Sequence, residues 1–130
     1  MNDLNWHIAL FCGSRTWGKP GPILRKLQAL KRKHGNKLII IQGGAPGADL
    51  LSCYWAHELD IHVAQVDALW NTRHKAAGPQ RNTAMLALRP AEVCAYHPDL
   101  PKSSGTKDCI KQALKLEIPV NLNNRKLAKL

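Results

Sequence analysis

The chain lacks several features that mark specialised classes of protein. Its apolar runs are shorter than the roughly 18 residues of a membrane span, and its first residues lack the basic and apolar segments of a secretory leader. We therefore expect a cytoplasmic protein with no membrane partner. Four cysteines in 130 residues are too few for a disulfide scaffold and show no C-x-x-C spacing, so we expect reduced, mostly buried thiols.

Several sequence motifs of known sites are absent as well. There is no G-x-x-x-x-G-K-[ST] segment, which argues against a P-loop NTPase, and no G-x-G-x-x-G dinucleotide fingerprint. The G-x-S-x-G motif of serine hydrolases is missing, so Ser14 is not a nucleophile of that kind. The six histidines form no H-x-x-x-H pair near an acid. We predict no metal site and no required cofactor.

Acidic residues are scarce compared with basic ones. Nine Asp and Glu against nineteen Lys and Arg give a net charge of +10 and a pI near 9.8, which favours an anionic partner. Seven of the cations and no acid lie between Lys19 and Lys37, and the C-terminal residues add Arg125, Lys126 and Lys129. Two interpretations of the basic cluster stay open: a solvated helix face, or a weak attraction to nucleic acid.

What the sequence does contain is a regular alternation of strand and helix patterns. Short apolar, partly β-branched runs predict five strands at 6–12, 38–42, 61–66, 92–96 and 118–122. Helical stripes and capping residues predict helices at about 23–35, 46–59 and 79–88, and a fourth capped by Ser104 or Thr106. This alternation predicts a single α/β domain at 1–122, with a parallel sheet of about five strands and helices on both faces, followed by a basic tail at 123–130.

Three of the predicted strand-to-helix turns are rich in glycine and small polar residues. In an open α/β sheet such turns meet at the carboxyl edge, where ligands bind. Glycine lets the backbone approach an anion, and the start of a helix supplies free N–H groups and partial positive charge. The alternative is that the glycines only make tight turns. The candidate ligand-binding residues from these turns are Gly13, Ser14, Arg15, Trp17, Gly43, Gly44, Ala45, Gly47, Asp49, Ser104, Gly105 and Thr106.

The polar segment after the third predicted strand adds further candidates. Trp70 is able to stack on a base. The alternative is that its side chain only closes the site as an apolar lid. Arg81 stands near the start of a helix, where the dipole disfavours a cation, so we expect a specific partner rather than a solvated surface position. The side chain of Asn82 is suited to form a hydrogen bond with an amide or a sugar hydroxyl of a ligand. The role of Asp49 is also open, because a carboxylate in the first turn of a helix often caps local N–H groups.

Four segments of the chain, taken together, carry a family resemblance. They are Gly-Ser-Arg-Thr-Trp at 13–17, Gly-Gly-Ala-Pro-Gly-Ala-Asp at 43–49, Ala-Gly-Pro-Gln-Arg-Asn at 77–82 with Met85, and Ser-Gly-Thr at 104–106. In this order they resemble the SLOG superfamily, and more narrowly its small YspA/cpYpsA-related branch, which phages and bacteria often carry. The resemblance covers about Trp6 to Val120 and adds Gly78 to the ligand-binding candidates.

The resemblance implies a Rossmann-like domain that binds a nucleotide or a nucleotide-derived ligand, such as ADP-ribose or a nucleoside monophosphate. Characterised relatives differ in use, since some hydrolyse nucleotides, one binds single-stranded DNA, and others sense nucleotide signals in defence systems. Relatives commonly dimerise, so a homo-oligomer, most simply a dimer, is implied too. Binding of such a ligand at the glycine-rich turns is our leading prediction for this chain.

Whether the chain is an enzyme stays open. The "lonely guy" hydrolases of the superfamily cleave the N-glycosidic bond of nucleoside monophosphates with an arginine in an R-x-x-x-M segment and a glutamate in P-G-G-x-G-T-x-x-E. Arg81 and Met85 match the first segment, but Cys109 stands where the glutamate would be, and a thiol cannot replace that carboxylate. A hydrolase with Arg81 and Asp49 as catalytic candidates is one alternative prediction. Binding of single-stranded nucleic acid through the basic face is the other.

Overall fold

One sheet organises the molecule, for which a computed structural model describes residues 5–130. Five strands run parallel, and the sixth pairs antiparallel with the fifth, in the order β3-β2-β1-β4-β5-β6. The strands are β1 at His7–Gly13, β2 at Leu38–Gln42, β3 at His62–Gln65, β4 at Glu92–Tyr96, β5 at Val120–Leu122 and β6 at Arg125–Leu127.

Five α-helices connect or follow the parallel strands. They are α1 at Pro20–His34, α2 at Ala48–Glu58, α3 at Trp70–Arg73, α4 at Ala77–Ala87 and α5 at Gly105–Lys115. Helix α1 begins with a proline in its first turn and is followed by Gly35, the predicted C-cap, whose φ of 59° is a conformation that favours glycine. Short 3₁₀ segments lie at Gly35–Lys37, His74–Ala76 and Leu100–Lys102.

The hydrophobic core is divided between the two faces of the sheet. Alternate residues of β1 point to opposite sides, so Phe11 joins α1 and α2 in one cluster, while Leu10 and Cys12 join α4 and α5 in the other. The central strands β1 and β4 are covered on both faces, and their polar side chains stand at the strand ends, at His7, Glu92 and Tyr96. The prediction of a three-layer α/β domain is therefore confirmed.

The strand order changes direction next to β1. Strands β2 and β3 lie on one side of it and β4 and β5 on the other. Chain segments leaving β1 and β4 therefore move apart and leave a gap at the carboxyl edge of the sheet. This gap places the turn after Gly13 opposite the turn after Tyr96.

The strand count is six rather than about five, because part of the basic C-terminal segment pairs with the sheet. Asn123 and Asn124 have φ values of 52° and 65°, the left-handed conformation that a two-residue hairpin turn requires. The turn brings Arg125–Leu127 back along β5. The Asn123 side chain also holds the strand end after β4, since its Nδ2 donates to His97 O at 2.9 Å and its Oδ1 accepts from His97 N at 3.0 Å.

Three helix starts and one side-chain cap differ from the sequence prediction. Helix α1 begins at Pro20 rather than at about 23, and α4 begins at Ala77 rather than at Pro79. Helix α2 begins at Ala48 rather than at Pro46, because Gly47 adopts a φ of 79° and ends the preceding turn. At α5 the expected caps were Ser104 or Thr106, but the hydroxyl of Ser103 fills that role. Its Oγ accepts from the backbone N of Thr106 at 3.0 Å and from that of Lys107 at 3.4 Å.

Candidate functional site

A cleft of about 610 Å³ opens at the carboxyl edge of the sheet, beside the point where the strand order changes. Its walls come from the turns after β1 and β2, from α3 and α4, and from the start of α5. Most of the predicted ligand-binding residues line it. They are Gly13, Ser14, Arg15, Ala45, Asp49, Trp70, Gly78, Arg81, Asn82, Ser104, Gly105 and Thr106.

Four predicted residues do not line the cleft and instead shape the turns around it. A Cβ on Gly43 would collide with the Arg81 guanidinium, and a Cβ on Gly44 would meet the amide of Gln65. Gly47 lies against the backbone of the first turn, whose Ser14 O accepts from Ala48 N at 3.1 Å. The fourth is Trp17, which donates from Nε1 to Lys19 O at 2.8 Å and packs at 5.8 Å from the ring of Tyr96.

The backbone amides of the second glycine turn are already used inside the protein. Asp49 Oδ2 accepts from Gly43 N at 3.1 Å and from Ala45 N at 3.2 Å, and Gly44 N donates to the side chain of Gln42. Asp49 therefore has the local capping role that the sequence left open, although it acts on the turn rather than on its own helix. The amides of Gly43, Gly44 and Ala45 are therefore not free to form an anion-binding nest for a phosphate.

The Asp49 carboxyl group is the most perturbed acid of the cleft. It is 5% exposed, and burial raises its pKa from 3.8 to about 6, even though the amides of Ala45 and Gly43 and the charges of Arg81 and Arg15 act to lower it. Close to neutral pH this group is therefore near its titration point. It is also the only carboxylate that lines the cleft within residues 5–130.

Arg81 lies at the centre of one wall and is partly buried. Its Nη1 donates to Gly43 O at 2.8 Å, and its Nε donates to Asn82 Oδ1 at 3.3 Å. The specific partner expected for this arginine is therefore present. Because a guanidinium has five N–H donors, these two bonds fix its position and leave further donors for the cleft.

The start of α5 forms the neighbouring wall, next to α4. Gly105 is exposed and nothing lies within 4 Å of a Cβ built on it, so the space beside it is open. Asn82 Nδ2 donates to Gly105 O at 3.2 Å and to Asp108 Oδ2 at 3.0 Å. These bonds tie α4 to α5 and hold the first turn of α5 at a fixed distance from Arg81.

Trp70 covers one end of the cleft and remains 47% exposed. The guanidinium carbon of Arg15 lies over its indole ring at 6.0 Å from the ring centroid. A Cβ on Gly78 would already be in van der Waals contact with the far edge of the ring, so this glycine lets the indole lie close to α4. The ring is therefore held at the cleft with part of its surface open to a ligand.

Sequence reasoning did not single out Cys12, His97 or Ser103 as ligand residues, yet they line the cleft. Cys12 and His97 stand at the carboxyl ends of β1 and β4, so the position of the change in strand order would have indicated both. The polar segment after β3 offered two further cations able to meet a phosphate or ribose, Arg73 and Lys75. Lys75 lines the cleft and Arg73 does not.

The carboxylate of the related hydrolases has no counterpart on the cleft floor. Cys109 occupies that position and is 1% exposed. The neighbouring Asp108 turns toward α4, where its Oδ2 accepts from Asn82 and, at 2.8 Å, from Gln112 Nε2. Asp67 and Asp99 were, with Asp49, the acids that the sequence offered as a replacement for this carboxylate, and these two do not line the cleft.

Two further properties of the described residues bear on the site. Within residues 5–130, no group of three or more His, Cys, Asp or Glu side chains is placed to hold a metal ion. In that same part of the chain, no helix has both the length and the apolar character that a bilayer crossing requires.

Two known proteins are similar to this chain, one in sequence and one in fold. The Gene 61 protein of Mycobacterium phage D29 is 32% identical over 120 residues, which cover 85% of this chain and 91% of that protein. DNA processing protein A (DprA) of Streptococcus pneumoniae shares the fold, with a TM-score of 0.72 at 18% identity over 93% of this chain. This chain spans 51% of the DprA structure, so the likeness concerns one part of it.

A sequence profile of the YspA, cpYpsA-related SLOG family matches residues 8–74, which include the first two glycine turns and Trp70. This match covers half of the chain, and the phage relative extends over most of it. The resemblance noted in the sequence is thereby confirmed. The chain belongs to the YspA, cpYpsA-related SLOG family.

Proposed function

We propose that the cleft binds a nucleotide or a nucleotide-derived anion such as ADP-ribose. The observation that carries the proposal is the charge balance of its walls. Arg15, Lys75 and Arg81 face the space, and against them stands one carboxylate, Asp49, which two amides already engage. Such an excess of cations around a concave space favours a ligand that brings negative charge.

The two ends of the cleft suit the two ends of a nucleotide. The start of α5 offers the positive pole of a helix dipole with open space beside Gly105, and Arg81 lines the same cleft from the adjoining helix α4. This end suits a phosphate. At the other end the exposed indole of Trp70 suits a flat base, since stacking on an aromatic ring contributes about 1 to 3 kcal/mol per base. The volume of about 610 Å³ is ordinary for a small-molecule site.

A thermal-shift comparison tests the proposal. The probes are AMP, ADP-ribose and NAD, with ribose 5-phosphate and inorganic phosphate as partial ligands. A nucleotide at about 100 times its Kd stabilises the native state by about 2.7 kcal/mol, which corresponds to a rise in Tm of about 10 °C for a domain of this size. We expect a shift with at least one nucleotide and a smaller shift with the partial ligands. No shift with any probe contradicts the proposal.

A matched pair of variants locates the phosphate end. Gly105→Asp places a carboxylate at the start of α5 without a steric clash, because the space around that position is open. Gly105→Asn has nearly the same size and no charge. We expect the aspartate variant to lose the thermal shift with ADP-ribose and the asparagine variant to keep most of it. Equal binding by both variants would place the phosphate elsewhere.

Hydrolysis of an N-glycosidic bond is an alternative function, and Asp49 is the observation in its favour. Its carboxyl group lies at the cleft with a pKa raised by burial to about 6, a value suited to proton transfer near neutral pH. The test is incubation of nucleoside monophosphates with the protein, followed by chromatography for free base. Free base in the native protein and none in Asp49→Asn would support hydrolysis, and no product would leave binding as the function.

A second candidate function is binding of single-stranded nucleic acid through α1, and DNA processing protein A is a protein with the same fold. The last turn of α1 carries Lys31, Arg32, Lys33 and His34. Lys31 donates to Asp60 O at 2.8 Å, so the exposed cations Arg32, Lys33 and Lys37 are the ones to neutralise.

The glutamine triple variant at these three positions should bind an oligonucleotide more weakly than the native protein. The dependence of its affinity on salt should also be shallower, because fewer counterions are released from the nucleic acid. The same affinity and salt dependence in both proteins would remove α1 as a nucleic-acid surface. ADP-ribose binding serves as the control for folding, since none of the three residues lines the cleft.

A further inference from the structure

His97 lines the cleft directly after the last residue of β4. Strand β4 leads into α5, whose start the proposed function assigns to a phosphate, whereas Trp70 follows β3 on the far side of β1. The first glycine turn meets the same strand end, because Ser14 N donates to Tyr96 O at 2.8 Å. His97 therefore stands at the phosphate end of the cleft, where the first turn and the segment leading to α5 come together.

One hydrogen bond fixes which nitrogen of the His97 ring carries the proton. The backbone N–H of Asp99 donates to His97 Nδ1 at 3.0 Å. Because a backbone amide only donates, Nδ1 is the acceptor and the proton of the imidazole is on Nε2. Among the hydrogen bonds of residues 5–130, none engages Nε2. The partly buried ring of His97 therefore has an N–H group available at the cleft.

The backbone of His97 is held by the C-terminal hairpin. Asn123 lies in the turn between β5 and β6. Its Oδ1 accepts from His97 N at 3.0 Å, and its Nδ2 donates to His97 O at 2.9 Å. The backbone N of Asn123 donates in turn to Ala95 O at 2.8 Å. The hairpin therefore fixes the strand end from which the His97 ring reaches the cleft.

We infer that His97 binds a phosphate oxygen of the ligand through its Nε2–H group, and that Asn123 positions it for this bond. Hydrogen bonds to an ionised acceptor such as a phosphate oxygen are stronger than those between neutral groups. His97 lines the cleft from the end of β4 and Arg81 lines it from α4, so the two donors approach a phosphate from different elements. The inference rests on the proposed function, because it requires a phosphate-bearing nucleotide in the cleft.

Two replacements of His97 separate the cleft donor from the local bond. The amide nitrogen of Gln reaches about as far as Nε2, so His97→Gln keeps a donor for the phosphate and loses the acceptor for Asp99 N. The shorter His97→Asn keeps an acceptor near Asp99 N and loses the donor. In calorimetric titrations, we expect His97→Asn to bind ADP-ribose about 10-fold more weakly and His97→Gln to bind it almost like the native protein. Native affinity in His97→Asn, or an equal loss in both variants, would overturn the inference.

A ligand pair identifies the group that His97 contacts. His97→Asn should weaken the binding of AMP about 10-fold and leave that of adenosine, which has no phosphate, unchanged. An equal loss with both ligands would assign His97 to the sugar or the base and overturn the inference.

Nitrogen NMR of the imidazole rings tests the donor without any ligand. We expect the proton of His97 on Nε2, and a proton on Nδ1 would overturn the inference. If no nucleotide binds the native protein, the proposed function fails, and this spectrum still reports on the donor.

A matched pair of hairpin variants tests the positioning role. Asn123 and Asn124 both have a positive φ, which glycine adopts without strain. Asn123→Gly removes both bonds to His97, whereas Asn124→Gly removes bonds to Tyr96 and Pro22 instead. We expect only Asn123→Gly to weaken ADP-ribose binding, and to cost nothing more when His97→Asn is already present. Native affinity in Asn123→Gly, or the same loss in both backgrounds, would overturn the positioning role.

Discussion

The two ends of the sheet carry charge in opposite ways. At the amino end, Glu92 of β4 accepts from His7 Nε2 at 2.6 Å and from Lys26 Nζ at 2.8 Å, and the His7 ring stacks on that of His34 at 3.8 Å. At the carboxyl end, the cations of the cleft face a single carboxylate, which backbone amides already engage. One end neutralises its charges internally, and the other does not.

The charges at the amino end therefore stabilise the fold, whereas the cations at the carboxyl end remain available to bind a ligand. Burial acts to raise the pKa of Glu92, but hydrogen bonds from His7 and Lys26 outweigh it and lower that pKa to about 2. The amino end is thus a completed ion cluster. At the carboxyl end, Arg15, Lys75 and Arg81 share one described carboxylate, Asp49, whose interaction with Arg81 and Arg15 does not outweigh its burial. An anion from outside is therefore the natural complement of these cations.

The largest expected effect is on stability at the amino end. Glu92→Gln removes an ion whose pKa is lowered from 4.5 to about 2, and this shift corresponds to about 3 kcal/mol of unfolding free energy at pH 7. Because the folded pKa is the lower one, the native protein keeps this stability above pH 4.5 and loses it as the pH falls toward 2. Denaturant unfolding from pH 7 to pH 2.5 measures it.

The variant should show little of this pH dependence, and its affinity for ADP-ribose should be unchanged. Glu58→Gln is the matched control, since Glu58 is exposed on α2 and should behave like the native protein. Equal stability of Glu92→Gln and Glu58→Gln would mean that the amino-end cluster does not hold the fold.

The next effect concerns ligand affinity at the carboxyl end. Arg81→Ala removes a charged hydrogen-bond donor from the cleft wall, and such donors contribute about 1.5 to 3 kcal/mol, which is roughly a 10- to 150-fold loss of ADP-ribose affinity. Calorimetric titration measures it, with circular dichroism as the check on folding. Arg25→Ala, an exposed cation of α1, should bind normally. Undiminished binding by Arg81→Ala would separate this arginine from the ligand.

A smaller effect is expected on the pH dependence of stability when Asp49 is replaced by asparagine. Its folded pKa of about 6 lies above the usual 3.8, so the folded state holds this proton more tightly than the unfolded state, and ionisation above pH 6 costs stability. Asp49→Asn keeps an acceptor oxygen for the turn and has no charge. Its stability relative to the native protein should be greater at pH 7 than at pH 5, by about 1 kcal/mol. Thermal unfolding at both pH values measures it, and a constant difference would argue against the raised pKa.

The smallest effect is expected for Lys75, which lines the cleft from an exposed position. Its charge is screened by solvent, so Lys75→Ala should weaken ADP-ribose binding only about two- to fivefold. The loss should shrink further at high salt. Lys111→Ala, an exposed cation of α5 outside the cleft, should have no effect. A large or salt-independent loss for Lys75→Ala would mean a direct, desolvated contact.

Much of the fold follows from local patterns. Strands β2 and β4 begin and end where the apolar runs do, because a strand buried on both faces has little choice of register. Strand β6 was missed because its residues Arg125–Leu127 are mostly polar. The Asn123-Asn124 pair before it is nevertheless typical of a hairpin turn.

The candidate site was harder to predict in detail, because several adjacent residues in the sequence are able to make the same hydrogen bond. Ser103 rather than Ser104 caps α5, a shift of one residue that only tertiary packing decides. The glycines at 43 and 44 gave the same pattern as a phosphate-binding turn, yet they make room for Arg81 and Gln65. The sequence placed most candidate residues at the carboxyl edge of the sheet, where the structure has them. It did not show which backbone amides at that edge already donate hydrogen bonds within the protein.

Backbone NMR with ADP-ribose tests the central claim most directly, since it compares the two ends of the sheet in one titration. We expect the largest amide shifts at 13–15 and 103–107, with the amino-end residues His7 and Glu92 unchanged. Shifts centred on residues 32–37, at the end of α1 and just beyond it, or no saturable shift at any amide, would contradict a ligand site at the carboxyl edge.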